Sequence, residues 1–371
     1  MVRRPSRRAY IGQWVLLAGV VAFGWLLADM VAGNYARKNL HFGFGFLVEP
    51  AHFDLPFHLI SWTLFDTYGR VLLVCILNTA LVAALAIVTA SVLGLVVGVM
   101  RLSVNWLVRN IALAFIEFVR NTPQLVQLIF WYVGVLQTLP PPRNGIHLPG
   151  GVNLNVRGLY VPDAVMRPDG GWLAWVAFAL LVATPFVWKL RVGAARVGAK
   201  ALLLPLLAAA LFAAGVDHVE YPEVKGFNLA GGTQVPPELV ALWIGLSVYA
   251  TAFIAEIVRG SIEAIPTGQH EAAQALGLKG MQRLFLVVLP QALRIMVPQL
   301  TSQYLNIIKS TTLGAAVGYG ELMQIFAGTV MQQAGKEIET MAIVWAIFVA
   351  INLAGSSLMN WYNRRVTLVE R

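Results

Sequence analysis

The sequence has 371 residues, 58% hydrophobic and only 12% charged, about half the roughly 25% charge of a water-soluble domain, which excludes a string of soluble domains. A formal net charge of +9 would suit a nucleic-acid partner, but the basic residues stand in short clusters beside apolar runs, as membrane topology requires, and no nucleic acid is expected. The single Cys75 lies inside an apolar run, so neither a disulfide nor a thiolate metal cluster is expected.

In chain order, Arg3, Arg4, Arg7 and Arg8 precede an apolar stretch at 11–32. That stretch is long for a signal peptide and ends without a small-x-small cleavage site, so it is read as a retained first span. A polar, aromatic segment runs on to Arg70, and its His41, His52 and His58 lack metal-ligand spacing. Further spans follow at 71–100, bounded by Arg101 and Arg109, and at 111–139, which holds Glu117 and Arg120. The proline-rich LPPPRNGIHLPGG then opens a loop that lasts to Gly171. Two shorter spans, 172–188 and 201–216, are joined by the basic KLRVGAARVGAK. After an acidic loop with Asp217, Glu220 and Glu223, spans at 239–258, 293–308 and 341–361 complete the set. The fold class is therefore an all-α polytopic membrane protein with about eight transmembrane helices. The expected units are an N-terminal helix and outer segment at 1–70, a first group of core helices at 71–138, outer loops with an inserted helix pair at 139–236, a second group of core helices at 237–362, and a tail at 363–371.

Eight spans put both termini on one side. With that side cytoplasmic, seventeen Lys and Arg fall inside and eight outside, with Arg120 and Lys309 at membrane depth. The bias agrees with the positive-inside rule and places 259–290 in the cytoplasm.

That cytoplasmic stretch contains PTGQHEAAQALGLKGMQRLFLVVLP at 266–290. Pro266 and Gly268 break what precedes, helix formers run from Gln269 to Leu276, and Gly277 suits a left-handed cap. Ala272, Ala273 and Leu276 are predicted on one face, where small side chains let another surface approach, and Glu271 lies near the helix start, where the dipole favours a carboxylate. A second helical run is predicted from Met281 through Phe285 and Leu286 to Leu289. An ordinary helix lying on the membrane surface satisfies the same spacing.

Glu271, Ala272, Ala273, Gly277, Leu289 and Pro290 at this spacing resemble the EAA loop of bacterial ATP-binding-cassette importer permeases, with Val287 where isoleucine is common. The resemblance extends to FVRNTPQLVQLIFWY at 118–132, NIIKSTTLGAAVGYGEL at 306–322 and MNWYNRRVTLVER at 359–371. Together these are most similar to the polar amino acid subfamily, in particular to the first permease subunit of a general L-amino acid importer, over about residues 71–371. The resemblance implies the type I importer core in the bacterial inner membrane. It implies that Glu271, Ala272, Ala273, Leu276 and Gly277 form a coupling helix seated in a cytoplasmic ATPase. The implied partners are a second permease subunit, two ATP-binding subunits carrying ATP and Mg, a periplasmic amino-acid-binding protein and membrane lipid. The pair of spans at about 172–216 looks like an insertion into the five-span core of that family, and extra packing or lipid contact is its expected role.

No Walker phosphate loop, zinc-type His-Glu spacing or nucleophile with a readable base is present in the sequence. The chain is therefore expected to be no enzyme, with no cofactor or metal of its own, ATP being hydrolysed on another polypeptide. An ion-coupled secondary transporter of small polar solutes is the alternative, and it predicts inverted repeats that the sequence does not display.

Two polar groups are candidates for the substrate path. In RNTPQLVQ, Arg120, Asn121, Thr122, Gln124 and Gln127 surround Pro123, which frees backbone groups to face a cavity. Arg120 there suits a substrate carboxylate, and equally a pair with Glu117 on the same helix face or a membrane interface. Lys309, Ser310, Thr311 and Thr312 form the second group, ahead of the glycine-rich GAAVGYG. The same residues also suit a snorkelling lysine and a helix-ending hydroxyl cluster.

Overall fold

The structure is a computed structural model that describes residues 7–37, 42–177, 179–180, 203–226 and 228–366. Its helices are α1 (Arg7–Arg37), α2 (Tyr68–Arg101), α3 (Trp106–Asn121), α4 (Gln124–Ile129), α5 (Leu203–Gly215), α6 (Pro237–Glu263), α7 (Thr267–Ala275), α8 (Gly280–Arg283), α9 (Leu289–Ser310), α10 (Met331–Ala334) and α11 (Glu337–Val366). Among the described residues, five helices are long and apolar enough to cross a membrane: Ile11–Arg37, Tyr68–Arg101, Pro237–Glu263, Gly280–Ala316 and Glu337–Trp361.

The core is the packing of α2 on α6. Along α2 the residues Val82, Ala86, Ala90, Gly94 and Gly98 recur every fourth position and are all buried, which makes one straight ridge of falling side-chain size. Opposite them stand Leu242, Leu246, Ala250, Ile254 and Val258 of α6. At the glycine end the backbones come closest, for a Cβ built on Gly94 would lie 2.5 Å from Ile254 Cγ2. Small residues at such a crossing let dispersion forces between whole helices act where lipid offers no hydrophobic drive.

A second cluster joins the 44–67 segment to the start of α2 and to the turn after α9, through Phe46, Leu55, Tyr68, Val71, Leu322, Phe326 and Val330. Glu321 begins that turn, fully buried. Its carboxylate accepts from the backbone N–H groups of Met323 at 2.9 Å and Gln324 at 2.8 Å, which caps the wide helix Leu322–Val330. Asn78 of α2 donates to Gly320 O at 2.8 Å, and Tyr319 Oη donates to Asn78 O at 3.0 Å, so the same turn is stitched to α2.

The predicted span at 111–139 is not one helix. α3 stops at Asn121, Thr122 is extended at φ −100° and ψ 130°, and α4 restarts after Pro123. Proline disfavours helical backbone in the residue before it, and the break falls at that residue. Beyond α4 the chain winds wider over Phe130–Val135 and narrower over Leu136–Thr138.

Among its described residues the 139–236 region, expected as loops and a helix pair, also holds eight short strands: β1 (Ile146–Leu148), β2 (Val152–Asn155), β3 (Gly158–Val161), β4 (Asp163–Met166), β5 (Val216–Glu220), β6 (Glu223–Lys225), β7 (Asn228–Ala230) and β8 (Thr233–Val235). They form an antiparallel sheet of order β1-β2-β3-β8 and two ribbons, β4 with β5 and β6 with β7. The β4–β5 ribbon pairs Asp163 with Glu220 and Met166 with Val216, which brings together the chain just before 167 and just after 215. Of the two spans expected there, 172–188 lies partly outside the described residues, and the basic link at 189–200 lies wholly outside them. α5 ends the second, and its apolar part, Pro205–Gly215, is shorter than a bilayer crossing requires. On β5, His218 lies 3.1 Å from Asp217 and 3.6 Å from Glu220, and the hydrogen bond to Asp217 raises its pKa above the usual histidine value.

Candidate functional site: the loop after α6 and the break before α4

α6 ends in a charged clasp. Arg259 donates to Glu256 through Nη2 at 2.8 Å and through Nε, and its Nη1 reaches Glu263 one turn on. Ile265 then anchors the chain in a small apolar cluster with Val288 and Ala292, and Pro266 turns it outward in extended conformation, φ −56° and ψ 140°, to start α7. The helix ends as its sequence predicts. Gly277 takes φ +76°; its N–H bonds Gln274 O at 2.9 Å and the N–H of Leu278 bonds Ala273 O at 3.1 Å. This pair of bonds is the Schellman closure, which uses glycine because the left-handed conformation crowds any Cβ.

The expected common face of Ala272, Ala273 and Leu276 is corrected by the structure. Ala273 is buried, whereas Ala272 and Leu276 face outward. Residues 272 and 276 are four apart and share a face, and 273 is turned by about 100° from 272 and about 60° from 276, towards the body of the protein. Ala273 therefore seats the helix, and its outer surface is Glu271, Ala272, Gln274 and Leu276. Leu276 is 80% exposed at the tip of a polar loop. On the rear side, Gln291 Nε2 donates to Gln269 Oε1 at 3.1 Å and to Val287 O at 3.0 Å, tying the start of α7 to the helix that follows.

The second helical run is predicted to end at Leu289, but the structure carries it on as α8, a wide π-type turn over Leu284–Val288, and α9. Pro290 stands at the first turn of α9; its ring has no N–H to donate and would crowd the carbonyl four residues earlier, and the widened turn relieves that crowding.

The polar residues around Pro123 are mostly committed to the break itself. Gln127 is buried, and its Nε2 donates to Thr122 O at 3.1 Å and to Val119 O at 2.8 Å, which otherwise accepts only the long 3.4 Å bond from Thr122 N. Thr122 Oγ1 donates to Phe118 O at 2.8 Å. Asn121 Nδ2 donates to Glu117 O at 2.8 Å and Oε2 at 3.3 Å. Gln124 is half-buried at the head of α4. Arg120 is different. Its guanidinium lies 5.4 Å from the centre of the Phe253 ring on α6, a cation–π distance, and no carboxylate lies within salt-bridge range of it among the described residues. Pairing of Arg120 with Glu117 is thus not what the structure adopts.

At the far end of α9, Thr311 is buried with Oγ1 donating to Ile308 O at 2.8 Å, and Thr312 Oγ1 donates to Lys309 O at 2.8 Å. Ser310 is half-buried and Lys309 exposed. α4 and the turn Thr311–Ala316 touch one another, and both pack on α6, so the two polar groups flank the same central helix. Sequence reasoning missed Glu321 and Asn78, although GYGEL carried the first: an acid just before an apolar run is an N-cap signal. Among the described residues no group of three or more His, Cys, Asp or Glu is placed to hold a metal ion.

This geometry can be set beside known proteins. The family described as binding-protein-dependent transport system inner membrane component matches residues 90–368. YhdX of Escherichia coli (strain K12) is 44% identical over 99% of this chain and 96% of its own length. The general L-amino acid transport system permease protein AapQ of Rhizobium johnstonii is 40% identical over 99% of this chain and 94% of its own length. The glutamate/glutamine/aspartate/asparagine transport system permease protein BztB of Rhodobacter capsulatus is 35% identical over 96% and 92%. A crystal structure of an amino acid ABC transporter with histidines superposes with a TM-score of 0.51 at 19% identity, covering 80% of this chain and 95% of that one, which supports the type I permease fold. The chain belongs to the family of inner membrane components of binding-protein-dependent transport systems.

Proposed function

We propose that this permease subunit carries polar L-amino acids across the bacterial inner membrane with ATP as the driver, and that Glu271, Ala272, Ala273, Leu276 and Gly277 couple it to a separate ATPase. The observation that carries the coupling role is the outer surface of α7: a short helix fixed from behind by Ala273 and Gln269 that presents Leu276, a large apolar side chain, to open surroundings. An apolar side chain at the tip of a rigid polar loop is a contact waiting for a partner. The amino-acid substrate is supported by AapQ and BztB, whose names carry amino-acid transport and which align over nearly the whole chain.

The working assembly is this chain, a second and similar permease, two cytoplasmic ATP-binding subunits holding ATP and Mg, and a periplasmic amino-acid-binding protein. Both termini and the 259–290 loop face the cytoplasm. ATP-driven closure of the ATPases moves α7. Because Ile265 and Gln291 tie that helix to both α6 and α9, the motion reaches the membrane helices as a rigid displacement. Receptor and ATP shift the equilibrium only as far as each prefers one of the two states. Arg120, Asn121, Thr122, Gln124, Gln127 and Lys309, Ser310, Thr311, Thr312 border the path along α6. Arg120, held over Phe253, is the residue most available to a substrate carboxylate, while Gln127 and Thr311 shape the walls. The ion-coupled carrier gains no support from any of these relatives.

The test is an affinity pull-down of the tagged chain from detergent-solubilised membranes, with and without Glu271→Arg. Recovery of an ATPase and a second permease, with only the ATPase lost in the variant, is the expected result. A chain that emerges folded and alone both times would overturn the importer assembly.

A further inference from the structure

At the end of α6 opposite the α7 loop, four stretches of chain border an open cavity of about 630 Å³, lined by Pro56, Tyr132, Gln137, Arg157, Gln234 and Glu238 among others. Its size falls in the range of small-molecule sites. It holds one carboxylate and one guanidinium that do not pair with each other. Glu238, half-buried on the first turn of α6, accepts a hydrogen bond from Tyr132 Oη at 2.9 Å and, among the described residues, has no cation within salt-bridge range. Arg157 spends a single N–H on the neutral Asn228 Oδ1 at 2.6 Å and, among the described residues, has no carboxylate within that range.

Arg157 is nevertheless held with unusual care for an exposed arginine. Its backbone N–H donates to Asn155 Oδ1 at 2.9 Å, its carbonyl accepts from Gln234 Nε2 at 2.9 Å, and its side chain is tied to Asn228. The next residue, Gly158, has φ +108° and lies so close to β8 that a Cβ would stand 2.2 Å from Val235 O. The turn that carries the guanidinium is thus locked onto the strand that leads into Pro236, Pro237 and Glu238. Opposite charges fixed in one cavity and each partnered only by neutral groups are preorganised for a ligand that carries both signs.

We propose that this cavity is a binding site for the zwitterionic head of an α-amino acid, with Glu238, assisted by Tyr132 and Gln137, receiving the α-ammonium and Arg157 the α-carboxylate. Recognition of the head alone leaves the side chain unread, so the site takes amino acids broadly. The proposal rests on the amino-acid reading above. It adds a station distinct from the Arg120 and Lys309 groups, on the side from which the substrate would enter.

The experiment uses the whole transporter, copurified through a tag on this chain and placed in lipid nanodiscs without the receptor. Saturation-transfer NMR is recorded with L-serine, N-acetyl-L-serine and L-serinamide as probes. The expected result is transfer to L-serine, little to the two analogues that each lack one charge, a loss of at least fivefold in Glu238→Gln and in Arg157→Gln, and partial recovery in Arg157→Lys. Unchanged transfer to serine in both charge-removing variants, or none in the unaltered complex, would overturn the site. Variants that weaken only the receptor's affinity for the complex would also overturn it, by making this surface a protein-docking face. Receptor-dependent uptake of L-serine by proteoliposomes is measured alongside: if it persists while the site fails, the permease reading stands, and if the unaltered complex imports no amino acid, that reading fails first.

Discussion

Gly98 of α2 lies against Val258 of α6 so closely that a Cβ on the glycine would be 2.8 Å from Val258 Cβ and 2.9 Å from Ala255 O. The second contact is backbone, which cannot rotate out of the way. Gly98→Val is therefore expected to push the two central helices apart at the end nearest the α7 loop. Overpacking of this kind costs about 1–3 kcal/mol, and here it also shifts the base on which α7 is mounted. The check is thermal unfolding of the solubilised complex together with transport: a lower midpoint and sharply reduced uptake are expected, and a variant that melts and transports like the parent would show that the helices part easily.

Gly277→Val tests the loop by geometry rather than by charge. At φ +76° a β-branched side chain is strained by about 1–2 kcal/mol, and the bonds from 277 and 278 to Gln274 and Ala273 open together. Because the glycine is exposed and no atom lies within 4 Å of the added Cβ, the membrane helices are left intact. The expected phenotype is a complex of normal stability whose ATP hydrolysis no longer responds to the receptor. Glu271→Arg and Gly277→Pro are expected to abolish transport-coupled ATP hydrolysis too, Glu271→Arg by releasing the ATPase from an otherwise folded permease. Normal uptake in all three would remove the coupling role from α7.

Gln127→Leu removes the two donors that satisfy Val119 O and Thr122 O. A buried carbonyl that loses its partner costs about 1–3 kcal/mol, and Val119 O would keep only the long 3.4 Å bond from Thr122 N, so a clear loss of stability is expected, whereas Gln127→Glu at neutral pH is expected to be worse because its charged oxygens only accept. Arg120→Ala should behave the opposite way, because the Phe253 contact contributes about 0.5–1 kcal/mol at an exposed position: nearly unchanged stability with weakened uptake. Unfolding midpoints beside initial uptake rates separate the two, and a destabilised Arg120→Ala with normal uptake would make that arginine structural.

The difference between those residues explains what could be read from the chain alone. The helix cap at Gly277 and the interruption at Pro123 depend on neighbours within one or two turns, and the sequence carries them in full. The contact of Arg120 with Phe253 depends on a residue far along the chain, and its local alternative, Glu117 at three positions, is taken by Asn121 instead. Strands of three to five residues such as Ile146–Leu148 and Val216–Glu220 show no stable alternation of apolar and polar residues. They exist because partners such as Asp163 and Glu220, far apart in the chain, meet, which no local period announces. The ridge from Val82 to Gly98 is visible in the sequence as small residues at every fourth place, but it becomes meaningful only once α6 is known to be its partner.

α1 has no buried residue in its apolar stretch, and among the described residues its hydrogen bond to the rest of the chain is at one end. There Tyr35 Oη donates to Glu339 Oε2 at 3.0 Å, while Glu339, fully buried, also accepts from Gly43 N at 3.1 Å and lies 3.7 Å from Lys336 Nζ. A helix that buries nothing contributes little to the stability of the core it leans on. Removal of residues 1–37 is therefore expected to leave the α2–α6 core folded, with an unfolding midpoint within a few degrees of the intact chain. Glu339→Ala, which takes a buried acceptor from Tyr35 Oη and Gly43 N and an ion-pair partner from Lys336, is expected to cost more than the whole helix does. Thermal melts of the two variants in the same detergent decide the order, and a truncation that unfolds the chain while Glu339→Ala does not would mean that α1 is part of the core after all.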